Sequence, residues 1–96
     1  MKATLKQFTG GRIREQTLGD PDEMCDAEVY CTFTLEDGRE TQCKARVKQT
    51  TGSAYRDKVI EVYPIEDLPP GTTYDHDDFR ERATRYYTEK IMKHGA

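Results

Sequence analysis

The chain has 96 residues, 34% apolar and 34% charged, with a formal net charge of −3. That length fits one domain with a thin core, since roughly 60–65% of the unfolded surface is buried at this size. The supply of Tyr, Phe, Val, Ile and Thr excludes a disordered chain, and the acidic balance argues against a dedicated nucleic-acid binder, which carries a basic excess.

In chain order, Met1 to Leu18 reads as a strand, a turn at Gly10-Gly11, and a second short strand, with Leu5, Phe8, Ile13 and Leu18 as apolar anchors. Gly19 to Asp26 reads as an acidic loop around Asp20-Pro21-Asp22. The clearest element covers 27–48. Ala27, Val29, Cys31, Phe33 and Leu35 alternate with polar residues, and after Glu36-Asp37-Gly38 the alternation resumes at Thr41, Cys43, Ala45 and Val47. A two-residue Asp-Gly turn would set apolar Phe33 against Gln42. A three-residue loop with Gly38 left-handed instead pairs Phe33 with Thr41, Cys31 with Cys43 and Val29 with Ala45.

Gln49 to Ala54 is expected to be a loop. Residues 55–65 form a further strand, its paired apolar residues allowing cover on both faces, and Pro64 marks its end or an edge. Residues 66–74 are a linker. A helix follows over 75–94, with Asp75 as N-cap, Asp77 and Asp78 in the first turn, and Phe79, Ala83, Tyr86, Tyr87 and Ile91 along one face. Tyr86 and Tyr87 sit about 100° apart, so one packs inward and the other lies at the margin. The expected fold is α+β, an antiparallel sheet of four to five strands with one C-terminal helix on one face.

The order hairpin, strand, helix resembles the second half of a double-stranded RNA-binding domain. That family opens with a helix and starts its last helix with basic residues. This chain has Asp75-His76-Asp77-Asp78 there, and no family is assigned.

The three cysteines, Cys25, Cys31 and Cys43, form no C-x-x-C pair. Reduced thiols in a cytoplasmic protein are therefore expected, with no zinc site. Cys31 and Cys43, paired in that register, could bridge or act as a thiol pair, but read first as small buried apolar residues, and Cys25 reads as a loop thiol beside acids. No apolar run nears the ~20 residues of a membrane helix, and the first residues lack a secretory h-region. His76 with its neighbouring acids invites a metal, but adjacent helical residues point apart. Neither histidine stands in a nucleophile pattern, and no glycine motif cradles phosphate.

Elimination leaves a non-enzymatic interaction module, without metal or cofactor, that binds a protein partner. Its candidate surfaces are acidic: Asp20, Asp22, Glu23 and Asp26 in the loop, and Asp75, Asp77 and Asp78 at the helix start. A nucleic-acid-binding protein is one such partner, in the manner of an inhibitor or accessory subunit. A sheet edge offers homodimerisation. The alternative is direct nucleic-acid binding. Lys44, Arg46 and Lys48 project from one side of their strand with Tyr30 beside them. The plain reading of that stripe is a solvated face with a Glu28–Arg46 cross-strand pair.

Overall fold

The computed structural model describes residues 1–17, 23–51 and 58–92. Strands β1 (Ala3–Thr17), β2 (Glu23–Leu35), β3 (Glu40–Thr51) and β4 (Lys58–Val62) form one antiparallel sheet in the order β1-β2-β3-β4. Helix α1 (His76–Tyr86) lies on one face and winds on as a wider π-helical turn, Tyr87–Met92. The α+β fold expected from the sequence is the fold observed.

The β2–β3 hairpin has the expected register, with Phe33 opposite Thr41, Cys31 opposite Cys43 and Val29 opposite Ala45. The Leu35 amide donates to the Arg39 carbonyl at 2.8 Å, enclosing three loop residues. Gly38 donates to the Leu35 carbonyl at 2.9 Å with φ of 90°, a conformation open to glycine. Burial alternates as the pattern requires: Ala27, Val29, Cys31, Phe33, Ala45 and Val47 are buried on the helix-covered face.

Four expectations need correction. First, β1 is one strand of 15 residues with no turn at Gly10-Gly11. Its pairing with β2 slips between Leu5 and Gln7, Phe8 and Gly10, and Ile13 and Glu15. Each slip inserts one residue, so Leu5, Phe8 and Ile13 all reach the core despite uneven spacing. Gly11 is needed for close approach. A Cβ there would stand 2.6 Å from the Glu28 carbonyl oxygen and 2.5 Å from Ile91 Cδ1.

Second, β2 begins at Glu23, so Glu23, Cys25 and Asp26 belong to a strand rather than a loop, and Cys25 is buried. Third, β3 runs on through Gln49 to Thr51. Fourth, β4 is covered on one face only, with Val62 buried and Val59 exposed. It is an edge strand and stops two residues before Pro64. Leu18, Asp20, Asp22, the first residues of the expected 55–65 strand and the last two of the expected 75–94 helix lie outside the described residues.

The strands make an elongated body of 49 × 21 × 18 Å. Helix and π turn together reach about 25 Å at 1.5 Å per residue, so they span only half the sheet. The segment 63–74 covers the hairpin end of the same face. Ile65 is buried there, and its amide donates to Tyr74 Oη at 2.9 Å. The segment ends against the start of β1, where Ala3 donates to the Thr73 carbonyl and Thr73 to that of Met1, both at 2.8 Å.

The helix start follows its sequence signals. Asp75 Oδ1 accepts from the Asp78 amide at 3.0 Å, and Phe79, Ala83, Tyr87 and Ile91 are buried four residues apart. Tyr87 points inward and Tyr86 sits at the margin, stacked on Phe8 at 4.8 Å between ring centroids. Phe8, Phe33, Tyr74 and Phe79 complete this ring cluster, with centroids 5.5–5.9 Å apart. Tyr87 Oη donates to Gln49 Oε1 at 2.9 Å within the core.

Candidate functional site

The second face of the sheet is not covered by the helix, and the start of the 63–74 segment only borders it, through Tyr63, Pro64, Glu66 and Asp67. Alternation assigns it the even-numbered residues of β2 and β3: Asp26, Glu28, Tyr30, Thr32, Gln42, Lys44, Arg46 and Lys48. Arg12 of β1 joins them opposite Glu28.

Glu28 lies at the centre and is only 5% exposed. Arg12 Nε stands 3.4 Å from its Oε2, and Arg14 Nε 3.4 Å from its Oε1. Tyr30 Oη donates to Oε2 at 2.9 Å. The bulge between Ile13 and Glu15 makes this possible, because the inserted residue, Arg14, reaches the carboxylate that Arg12 already faces. Burial pushes the Glu28 carboxyl up. The Tyr30 hydroxyl and the charges of Arg12 and Lys44 outweigh it, so its pKa falls below the ordinary carboxylate value. Glu28 is thus an acceptor held ionised. Tyr30 is shifted up, chiefly because its hydroxyl proton is held by Glu28.

The Glu28–Arg46 ion pair expected from direct opposition is replaced by diagonal pairing. Arg46 Nη2 reaches Asp26 Oδ2 at 2.8 Å, and its guanidinium lies 5.7 Å from the centroid of the Tyr63 ring. Lys44 faces Tyr30 as expected. Its backbone amide donates to Asp67 Oδ2 at 3.0 Å, which anchors the chain after β4 along the unpaired part of β3. A cleft of about 310 Å³ lies between Arg14, Glu28, Lys44 and Arg46 on the sheet and Tyr63 and Asp67 beside it. A second hollow of about 380 Å³ adjoins it at Lys44, with Tyr30 and Gln42 in its wall.

Of the two proposed acidic surfaces, the described members are Asp26 and, at the helix start, Asp75, Asp77 and Asp78. Asp26 is on the outer sheet face and tied to Arg46. Asp75, Asp77 and Asp78 sit at the helix start, by the ring cluster at the hairpin end. Asp75 is used as the cap, Asp77 pairs with Arg80 at 3.4 Å, and Asp78 with Arg82 at 3.7 Å. Asp20 and Asp22 lie outside the described residues, as does the side chain of Glu23. Of the basic set, Tyr30, Lys44, Arg46 and Lys48 share one face, and the structure adds Arg12, Arg14, Glu28 and Tyr63. Arg12 and Arg14 were legible only as charges on an irregular strand. Their i, i+2 spacing was the available signal, and it lacked a partner until the register was known.

His76 is half-buried rather than solvated, with Nδ1 3.2 Å from Tyr74 Oη. No group of three potential metal ligands occurs among the described residues. Cys31 and Cys43 stand as thiols. Burial, then the charges of Cys43 and Asp67, push Cys31 up to about 12, and burial with Asp67 pushes Cys43 to about 11. Neither is a thiolate near neutral pH. No helix among the described residues is long and apolar enough to cross a membrane.

A scan of protein-family models, a search of curated proteins and a search of solved structures each found no match to this chain.

Proposed function

We propose that this protein is a small non-enzymatic binding module, an accessory or inhibitor-type protein of the cytoplasm, and that it docks through the uncovered face of its sheet. One observation carries the reading: a buried, ionised Glu28 at the centre of that face, holding two arginines. Burying a carboxylate costs stability, and a paired buried ion is commonly no better than an apolar residue of like size. A face that only met water would not need it. Fixing Arg12 and Arg14 in place gives Glu28 a purpose, because ordering them beforehand removes part of the entropy cost of binding.

The acidic surfaces remain the second docking reading, directed at a basic protein, but their described members are already paired or capping. The sheet edges are β1 and β4, and the three slips in β1 make it a poor template for a second copy.

The test compares two charge reversals in pull-downs from the host lysate. Lys44→Glu with Arg46→Glu is expected to lose the captured material, and Asp77→Lys with Asp78→Lys to keep it. The opposite pattern moves the docking surface to the helix start.

A further inference from the structure

We propose that the uncovered face binds single-stranded nucleic acid, its phosphates gripped by an Arg12–Arg14 clamp that Glu28 holds in position. This rests on the reading of that face as the docking surface and names its occupant.

The ion-pair geometry gives the first reason. Glu28 engages each arginine through Nε, one per carboxylate oxygen. The terminal nitrogens of both guanidiniums are left for an outside oxyanion, and a planar guanidinium suits phosphate. Arg12 and Arg14 remain 64% and 41% exposed while the carboxylate between them is 7% exposed. The acid is sealed beneath and the donors stand above it.

Charge gives the second reason. Arg12, Arg14 and Lys44 surround a single carboxylate, and Lys44 has no ion pair of its own among the described residues. The cluster thus carries two positive charges in excess, in a protein whose total is −3. Glu66 and Asp67 border the cleft on the β4 side, and Asp67 is turned onto the Lys44 amide. An acidic protein with a local basic centre repels polyanions elsewhere and admits them here.

The third reason is aromatic. Tyr63 is 36% exposed on the same face with Arg46 over its ring, and Tyr30 lies half-buried beside Lys44. Bases of a single strand splay onto such rings, whereas those of a duplex stay stacked. Phosphate donors beside tyrosines on an open antiparallel sheet therefore favour the single strand.

The experiment measures anisotropy of a labelled single-stranded pyrimidine 20-mer titrated with the full chain at 50 and 200 mM salt. Three cations engaged on phosphate predict a log–log salt slope of about −2, or roughly 20-fold weaker binding at the higher salt, at about 0.7 per phosphate for single strands. Arg12→Gln with Arg14→Gln, both exposed, is expected to cut the slope to about −0.7. Tyr63→Ala is expected to weaken binding about tenfold, from loss of one stacked base. Glu28→Gln removes a negative charge yet retains only one side-chain oxygen, so binding several-fold weaker supports the clamp and tighter binding overturns it. Thermal unfolding of each variant confirms that it is folded.

Equal binding of the corresponding duplex, or equal displacement by polyglutamate, overturns the single-stranded occupant. Absence of binding at 50 mM salt overturns it too. In that case, loss of lysate capture by the Lys44→Glu and Arg46→Glu variant leaves the docking surface standing without this occupant.

Discussion

The two faces of β2 both bury residues, but by different means. Toward the helix, Ala27, Val29, Cys31 and Phe33 are buried by close packing against apolar neighbours. On the other side Glu28 is buried beneath the side chains it binds, and Thr32 is buried farther along the same strand. The inner face gains from removing apolar surface from water, at roughly 25 cal/mol per Å². The outer face gains less, because the desolvation of Glu28 offsets part of its pairing. What the outer face acquires is order in its charges. The contrast predicts that the inner face governs stability and the outer face governs binding.

The hardest strike on the inner face is Phe33→Ala. Phe33 is 1% exposed and contacts Tyr74 and Phe79. Chemical denaturation should show a loss of about 3–5 kcal/mol. A loss below ~1 kcal/mol would show that this face is not the core. Gly11→Val joins the two faces, since its new side chain meets both the Glu28 backbone and Ile91. It should cost about 1–3 kcal/mol by overpacking, read by the same method. Tyr87→Phe removes the hydroxyl bonded to Gln49 and should cost about 1–2 kcal/mol, for a buried acceptor left unpaired.

Smaller effects sharpen the outer face. The pKa of Glu28 is lower in the folded protein than in the unfolded chain. Its stabilising contribution is therefore present above the ordinary value of 4.5 and is lost as pH falls through the lower, folded value. Stability measured from pH 7 down to pH 3 should drop less steeply in Glu28→Gln than in the parent chain, and matching slopes would remove Glu28 from the acid response. The smallest signal expected is from Cys31 and Cys43. With pKa values pushed to about 12 and 11, they should stay unmodified by a thiol reagent at pH 8 until denaturant is added. Prompt labelling of either in the folded state would show the inner face opening.

The difference between the faces was half visible in the residues. Alternation from Ala27 to Val47 separates inside from outside and even gives the hairpin register, because a one-residue slip would turn Phe33 toward water. It did not identify Glu28 as buried. A charged residue at an outward position reads as solvated, and only its neighbours from another strand reverse that. Direct opposition suggested a Glu28–Arg46 pair. The diagonal Arg46–Asp26 pair and the two β1 arginines took its place, since long side chains reach neighbours across a sheet as readily as residues opposite.

The sequence by itself determined the elements whose signals are local: the hairpin and its three-residue loop, the Asp75 cap, and the stripe through Phe79, Ala83, Tyr87 and Ile91. Each depends on residues within a few positions of one another, where steric and hydrogen-bonding rules act directly. Tertiary structure alone decided that Gly10-Gly11 lies within a strand, that β1 slips three times against β2, and that Arg12 and Arg14 meet over Glu28. A bulge shifts every later side chain by one position relative to the partner strand, so period-two reading fails beyond it. The partner strand that makes the shift favourable lies elsewhere in the chain.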